Sequence, residues 1–476
     1  MTETPDTSRG PARRHHAPTS RNIVFLLSGS RGDIQPAACL ALELRERGHH
    51  IAVLCTPNMV DFVRSMGIPD ARPAGVNISE MTDRARRILG EGHPVKVLRF
   101  GLSFLRHATV DLDRDITDAM FPGGRPLDDP AAGPVGAPDL IVANPMCQRQ
   151  GLNVSERLGV PLVVLRYAPV SENSTIGWID PLTRHLPGRA RRWSWVVRAW
   201  VDFLFNGVWE HRFRRSVGLP RTLRTVPRRL ADRRVPQLQL CDPVVVPEIA
   251  REWEGTDRIF TGYLDVPPSV RAAMGEAMPD DADLAAWLDA GDPPLFVTFG
   301  SMPVPDPDLV RRQVLDACRG RGLRVLFSLG GGAGRGAGDG ADRSAGDGEN
   351  PSALAGPDAD AFEVGAVDQS ALLPRCAAAV HHGGAGTTAA SLRAGVPTMI
   401  YAFGFEQPFW AARIADLGVG TGGSFSGLDA ATFRADLDRA LAPETVRRAA
   451  EVARAMVSPA DAVRRSADIV EAQLTL

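Results

Sequence analysis

Several features that mark other classes of protein are missing from this sequence of 476 residues. No apolar run approaches the roughly 20 residues that a transmembrane helix needs. The segment 1–21 is polar and contains prolines, arginines and histidines, so it lacks the apolar core of a signal peptide. These absences predict a cytoplasmic protein without a membrane span, whose tail at 1–21 is disordered.

Lysine is almost absent, because Lys96 is the only one and arginine supplies the remaining basic charge. The formal net charge is only -2, so bulk electrostatics give no case for nucleic-acid binding. The six cysteines are scattered without a close pair, which predicts neither a zinc site nor a disulfide framework. We therefore expect no metal ion and no bound cofactor.

The chain does contain two patterns in which a strand, a turn and a helix are followed by another strand. The first has an apolar strand at 23–27, a helix predicted at 37–48 and a second strand at 51–55. Its turn is not the fingerprint of a dinucleotide-binding protein, because the spacing G-x-G-x-x-G is missing and Thr56-Pro57 stands where an acid should follow. The pattern predicts α/β architecture with doubly wound parallel sheets, and the length suits two domains.

The second pattern is centred on VHHGGAGTT at 380–388. An apolar strand leads into a glycine-rich turn, after which a helix is predicted to start at Thr387 and Thr388. Unpaired backbone N–H groups at the start of a helix attract anions, and the small residues Gly384 and Gly386 let a phosphate come close. The turn predicts a phosphate site, although a plain glycine-rich turn has the same pattern.

Side chains in the same turn strengthen the phosphate interpretation. Thr387 can cap the helix and donate its hydroxyl, and the imidazole of His382 can donate a hydrogen bond or carry positive charge. No lysine follows the last glycine, so the turn is not a P-loop.

An acid and an amide follow the next predicted strand, 396–402, at Glu406 and Gln407. Parallel strands end at the same edge of a sheet, where doubly wound proteins bind ligands, so both side chains should lie beside the phosphate turn. A carboxylate next to an amide suits the vicinal hydroxyls of a sugar. These two residues are predicted to hold one.

The order of HHGGAGTT, AGVP, Glu406-Gln407 and QPFWAARIADLGVG resembles the GT-B nucleotide-diphosphosugar glycosyltransferases, in the branch of the bacterial antibiotic and sterol enzymes. The resemblance covers residues 23–474. It implies two Rossmann-like doubly wound domains that face each other across a cleft. It also implies donor contacts from Ser301, Gln369, His382, Gly384, Gly386, Thr387, Glu406 and Gln407.

Three positions depart from the plant members of this family. Ala366 and Asp368 replace the Trp and Pro of the step that ends in Gln369, and Ala390 stands where those members carry a ribose-binding Glu. The departures leave the nucleotide open among UDP, dTDP and GDP.

The turn after the first strand carries Asp33, for which two interpretations stay open. A carboxylate at a helix N-terminus is often only a cap. In the resembling family this turn carries the general base, commonly a His three residues before a Pro, and here Asp33 and Pro36 occupy that pattern. Aspartate is a weaker base than histidine, so proton removal should be concerted with sugar transfer.

The segment 184–215 interleaves tryptophans and phenylalanines with many arginines at amphipathic helical spacing. It fits a lid over a bulky acceptor, a helix on a membrane surface, or ordinary helices that pack on the first domain. The first interpretation makes Trp193, Trp195 and Trp200 acceptor-binding residues.

The sequence therefore predicts an inverting glycosyltransferase that moves a hexose or an aminodeoxyhexose from a nucleotide diphosphate sugar to a hydroxyl of a lipophilic natural product. A catalytically silent homologue that binds sugar nucleotides and a GT-B epimerase are the alternatives. The predicted organisation begins with an acceptor domain at 22–264, which is expected to be mostly helical from Pro57 to about Met120, and a linker at 265–294 that contains one short acidic helix. A donor domain at 295–459 with a disordered insertion at 330–357 follows, and a helix at 460–476 crosses back.

Overall fold

The computed structural model describes residues 20–78, 80, 109–121, 136–274, 282–300, 302, 304–329, 360–365, 367–404 and 406–475. The insertion predicted at 330–357, Ser301 and almost all of the tail predicted at 1–21 lie outside these ranges.

The first half of the chain forms a seven-stranded parallel sheet in the order β3-β2-β1-β4-β5-β6-β7. Its strands are β1 (Asn22–Leu26), β2 (His50–Cys55), β3 (Ala71–Pro73), β4 (Leu140–Ala143), β5 (Leu162–Arg166), β6 (Gln237–Gln239) and β7 (Arg258–Phe260). The helices between them are α1 (Arg31–Glu46), α2 (Val60–Ser65), α3 (Gln148–Leu158), α4 (Asp180–Thr183), α5 (Gly188–Ser216), α6 (Val226–Asp232) and α7 (Pro247–Glu252), and residues 109–120 are also helical.

The second half forms a six-stranded parallel sheet in the order β10-β9-β8-β11-β12-β13. Its strands are β8 (Leu295–Thr298), β9 (Val325–Ser328), β10 (Ala361–Glu363), β11 (Ala378–His381), β12 (Thr398–Ala402) and β13 (Gly420–Ser424). The helices after β7 are α8 (Pro268–Ala273), α9 (Ala282–Asp289), α10 (Pro307–Arg319), α11 (Gln369–Leu372), α12 (Ala385–Ala394), α13 (Gln407–Asp416), α14 (Ala430–Ala440), α15 (Pro443–Ala455) and α16 (Pro459–Gln473).

The central strands are apolar throughout because helices cover both faces of each sheet. In β1, Ile23 and Phe25 belong to one core cluster, and Val24 and Leu26 belong to a second cluster on the other face. The alternation follows from the two-residue period of a strand. The structure thus confirms the predicted pair of doubly wound α/β domains.

Three local predictions were inaccurate. The helix predicted at 37–48 begins at Arg31, with Pro36 inside it, because Ser30 and Asp33 fix an earlier start. The stretch predicted to be mostly helical after Pro57 contains the edge strand β3, which is too short to give a periodic signal. The predicted linker contains a second helix, α8, in addition to the acidic helix α9.

The carboxyl-terminal helix α16 packs against α1 of the first sheet. Arg47 donates to the carboxylates of Asp468 (2.7 Å) and Glu471 (2.8 Å). The buried ring of His49 lies 3.0 Å from the other oxygen of Glu471. Helix α16 is therefore joined to the residues that follow α1 by ion pairs as well as by the apolar core.

Candidate active site

Asp33 lies in the first turn of α1, directly beyond the carboxyl end of β1. Its Oδ2 accepts hydrogen bonds from the backbone N–H of Ser30 (2.8 Å) and from the Ser30 hydroxyl (3.0 Å). The other oxygen, Oδ1, has no hydrogen bond within the described part of the chain. Asp33 therefore caps the helix with one oxygen and leaves the second for another partner.

The side chain of Asp33 is partly buried. Burial raises the pKa of Asp33, and the hydrogen bonds from Ser30 oppose that shift. The turn requires glycine at position 29, where φ is +127° and a Cβ atom would lie 2.4 Å from Oδ2 of Asp33. A larger residue there would displace the carboxylate.

Three polar residues at the ends of neighbouring strands hold this turn, and the sequence interpretation missed them. The Tyr167 hydroxyl donates to the backbone carbonyl of Asp33. Asn144 donates to the carbonyl of Ser28 (2.7 Å), and Thr56 donates to the carbonyl of Gly29 (2.9 Å). Their position just after β5, β4 and β2 was the available signal, because parallel strands of one sheet end at the same edge.

The glycine-rich turn follows β11 and leads into α12. The helix begins at Ala385 and its N-cap is Gly384, so the prediction that it starts at Thr387 was wrong by two residues. Thr387 lies in the first turn and is not the cap. The first helical hydrogen bond runs from the N–H of Thr388 to the carbonyl of Gly384 at 2.9 Å. The backbone N–H groups before Thr388 have no helical acceptor and form the end of a helix dipole that attracts anions.

The two histidines of this turn have different surroundings. His381 is fully buried, its Nδ1 accepts from the N–H of Gly383 (3.0 Å), and burial lowers its pKa to about 3. His382 is partly buried, and burial lowers its pKa to about 4. With these lowered pKa values both rings are neutral at pH 7, so His382 carries hydrogen-bonding groups and no full charge in this turn. Nδ1 of His382 is buried and has no hydrogen-bond partner among the described residues.

Glu406 and Gln407 follow β12, which pairs with β11, so they lie at the same edge as the glycine-rich turn. The side chain of Gln407 is buried, and its Oε1 accepts from the N–H of Phe403 at 2.8 Å. Gln407 therefore shapes the loop in this structure. Glu406 is half-buried, and burial together with the charge of Asp33 raises its pKa.

The two predicted donor residues on other elements differ in what can be described. Gln369 is the first residue of α11 and is partly exposed, with the adjacent Asp368 as its N-cap. Ser301 lies outside the described residues, but Gly300 lies against His382: a Cβ atom at Gly300 would be 3.1 Å from Cε1 of that ring. The ends of β8 and β11 are thus adjacent.

The two turns face each other between the sheets. Ala385, the first residue of α12, packs against the core cluster of the first sheet that includes Ile34 of α1. Burial is the main cause of the raised pKa of Glu406, and the charge of Asp33 adds a smaller contribution in the same direction. A carboxylate of the first domain is therefore placed next to the helix N-terminus and the acid of the second domain.

The tryptophans predicted to bind the acceptor do not share one environment. Trp195 is buried, and its indole N–H donates to the carbonyl of Ile176 at 2.8 Å. Trp193 and Trp200 are exposed. The structure does not bring these three rings together, and their contact with an acceptor stays a prediction.

Asp113, in the helical segment 109–120, forms an ion pair with Arg149 and accepts a hydrogen bond from Gln150 at 2.9 Å. That pair belongs to a buried network that also includes Glu210.

In the ranges that the structure covers, no helix is long and apolar enough to cross a membrane.

The chain is similar to known glycosyltransferases in both of its halves. Residues 23–103 match the glycosyltransferase family 28 N-terminal domain, and residues 354–469 match the erythromycin biosynthesis protein CIII-like C-terminal domain. An uncharacterized glycosyltransferase of Mycobacterium tuberculosis is 33% identical over 446 residues, which are 93% of this chain and 96% of that protein. The vancomycin aglycone glucosyltransferase of Amycolatopsis orientalis is 28% identical over 448 residues, 90% of this chain and 93% of that protein.

A plant relative and several solved structures extend the comparison. The sterol 3-beta-glucosyltransferase UGT80A2 of Arabidopsis thaliana is 28% identical over 403 residues, 84% of this chain and 57% of that protein. The kitacinnamycin glycotransferase and the calicheamicin glycosyltransferase CalG4 superpose with TM-scores of 0.63 and 0.62 at 16% and 19% identity. Each match covers 96% of this chain, with 100% and 99% of those two chains. The glycosyltransferase VinC in complex with dTDP superposes with a TM-score of 0.59 at 16% identity, over 95% of this chain and 99% of its own.

The two facing sheets, the glycine-rich turn and these relatives lead to one assignment. The chain belongs to the nucleotide-sugar-dependent glycosyltransferases of GT-B fold, in the branch that contains the bacterial antibiotic and sterol enzymes.

Proposed function

We propose that this protein transfers a hexose or an aminodeoxyhexose from a nucleotide diphosphate sugar to a hydroxyl of a lipophilic natural product, with inversion at the anomeric carbon. One observation carries the proposal. The half-buried carboxylate of Asp33 lies on the first domain, opposite the open N-terminus of α12 and the acid Glu406 on the second.

In the proposed step, the oxygen of the acceptor hydroxyl forms a bond to the anomeric carbon while the bond from that carbon to the diphosphate oxygen breaks. The hydroxyl proton passes to Oδ1 of Asp33, the oxygen that is not used for capping. The raised pKa of Asp33 brings this weak base closer to the operating pH. Because the base and the leaving group lie on opposite sides of the sugar, the configuration inverts.

The negative charge that develops on the leaving diphosphate falls at the start of α12. Backbone N–H groups of Gly384 and Gly386, the hydroxyl of Thr387 and the neutral ring of His382 are the proposed donors, with Ser301 from the neighbouring strand end. Such fixed donors stabilise a developing anion without reorganising. We therefore expect no metal requirement, and a chelator should leave the transfer rate unchanged.

The sugar and the nucleotide are assigned to separate residues. Glu406 is proposed to accept hydrogen bonds from sugar hydroxyls. Gln407 is proposed to hold the loop and to keep its side-chain amide close to the sugar. Gln369 is proposed to contact the base. The dTDP complex of VinC supports a thymidine diphosphate donor for this chain. The names of the vancomycin aglycone and sterol enzymes support a bulky, lipophilic acceptor.

The proposal is tested first by thermal unfolding of the full chain with dTDP, UDP, GDP and NAD. A ligand at about 100 times its Kd should stabilise the protein by roughly 2.7 kcal/mol. We expect a shift with one nucleoside diphosphate, followed by transfer from the matching sugar to a panel of aglycones. Nucleotide binding without turnover would identify a silent homologue, and turnover of the sugar nucleotide into an isomer without any aglycone would identify an epimerase.

A further inference from the structure

The longest of the described helices, α5, carries a continuous apolar stripe on its exposed side. The stripe residues follow one another at helical spacings of four, three, four and four, so they lie on one face. They are Trp193, Val197, Trp200, Leu204 and Val208, and Leu204 and Val208 are 75% and 72% exposed. Buried residues of the same helix, among them Trp195 and Phe213, point to the protein interior.

Basic residues border this stripe at both ends. Arg189 is exposed one turn before Trp193, and Arg212 and Arg215 are exposed just after Val208. The helix contains seven arginines against two acids.

Neither acid of α5 neutralises the arginines that border the stripe. Asp202 lies on the opposite side of the helix by its spacing and is 3.5 Å from Arg198. Glu210 is buried and forms an ion pair with Arg229 at 2.6 Å. The exposed face is therefore apolar in its middle and positively charged at its ends.

We propose that α5 binds the surface of a membrane that contains anionic lipids, with its axis in the plane of the interface. Exposed tryptophan, leucine and valine side chains would enter the boundary between headgroups and acyl chains, and the arginines would contact lipid phosphates. This surface goes beyond the transfer reaction and gives the enzyme access to acceptors that partition into lipid.

Two other occupants fit the stripe less well. A second copy would place arginines opposite arginines in either relative orientation, because both ends of the stripe are basic. A single small-molecule acceptor does not cover five side chains, since Trp193 and Val208 are about 22 Å apart along the helix axis. A lipid surface matches both the length and the charge.

The test measures co-sedimentation of the full chain with vesicles of phosphatidylcholine, alone or mixed with phosphatidylglycerol. The variant is Leu204→Gln with Val208→Gln, and the matched control is Leu309→Gln with Val446→Gln, which makes the same changes at exposed positions of α10 and α15. We expect the unmodified protein to bind the anionic vesicles preferentially, more weakly at high salt. The α5 variant should bind them at least about tenfold more weakly, because two apolar side chains no longer enter the interface.

A second variant, Arg212→Gln with Arg215→Gln, should lose the preference for anionic vesicles while keeping the same thermal unfolding. Unchanged thermal unfolding and nucleotide response in both variants would show that they fold. The proposal is overturned if the unmodified protein ignores anionic vesicles, or if the α5 variant and the matched control bind equally. It is also overturned if the chain forms dimers that the α5 variant abolishes, since the stripe would then serve a second copy.

Discussion

Asp33 and Glu406 are 373 positions apart in the sequence, yet the charge of Asp33 raises the pKa of Glu406. One acid follows β1 of the first sheet and the other follows β12 of the second sheet. Neither domain contains a complete site, because the predicted base comes from one and the predicted donor contacts come from the other. Any change that separates the two sheets should therefore impair transfer before it impairs binding of the nucleotide.

Replacing the predicted base should abolish transfer selectively. We expect Asp33→Asn to reduce kcat by about a hundredfold to ten-thousandfold, the usual contribution of a general base. Asparagine retains an oxygen that can cap α1, so stability and nucleotide affinity should stay close to those of the unmodified protein. Asp429→Asn is the matched control, because Asp429 caps α14 by accepting from Thr432 and is remote from the turn of Asp33 in sequence. A normal kcat in Asp33→Asn would leave this residue as a cap only.

The pH dependence of kcat/KM should identify which acid is the base. A base must be ionised, and burial raises the pKa of Asp33, so the rate should fall as the pH drops through a value above the ordinary pKa of 3.8. In Glu406→Gln we expect a lower maximal rate with the acidic limb retained. Loss of that limb in Glu406→Gln would transfer the role of base to Glu406.

The open space at Gly386 allows a direct test of the phosphate site. Apart from its chain neighbours and its own helix backbone, a Cβ atom there would meet no atom of the described residues within 4 Å, so Gly386→Ala should fold normally. Alanine is favoured over glycine in a helix by about 1 kcal/mol, and stability should stay equal or rise. Nucleotide affinity should nevertheless fall at least about tenfold if the anion approaches this backbone, because the methyl group occupies its path.

The comparison for that variant is Gly320→Ala, at the end of α10. It also has open space around the added methyl group, with φ at an ordinary helical value of -63°. Calorimetric titration with the nucleoside diphosphate measures both variants. Equal affinity in the two would argue that the phosphate does not contact Gly386.

Gln407 should matter for stability as well as for the sugar. Gln407→Leu leaves the N–H groups of Phe403 and Gly404 without their acceptor, and an unsatisfied buried group costs about 1–3 kcal/mol. Urea unfolding should register that loss. Gln35→Leu removes a less buried amide that accepts from Arg31, and it should change the free energy of unfolding by less. If the two variants are equally stable, the loop does not depend on Gln407.

Acid should destabilise the fold partly through the buried histidines. The pKa of His381 is about 3 in the native state against an ordinary value of 6.5, so its contribution to stability is full above about pH 6.5 and is lost as the pH falls towards 3. The slope per histidine reaches about 1.4 kcal/mol per pH unit. His381→Gln should flatten the pH dependence of the unfolding free energy. The assay compares pH 7 with pH 5, roughly on either side of the ordinary pKa of about 6.5. An unchanged slope would show that other groups dominate.

The apolar strands, the glycine-rich turns and the acid–amide step are local patterns, and the sequence was sufficient to predict them. Runs such as 23–27 are apolar on both faces, and only a sheet covered on both faces accommodates them. The glycine-rich turn was also predicted from its local pattern, although its helix begins at Ala385 and not at Thr387. Helix starts shift by a few residues because single hydrogen bonds decide them.

The sequence by itself thus determined the two α/β domains, the family and the turns that carry the candidate site. Only the tertiary structure decided that Tyr167 holds the backbone of Asp33 and that Gln407 is buried in its own loop. It also decided that the charge of Asp33 contributes to the pKa of Glu406. The physical reason is that strands and turns follow from neighbours in the chain. Contacts between distant segments depend on how whole sheets and helices pack, which no local pattern records.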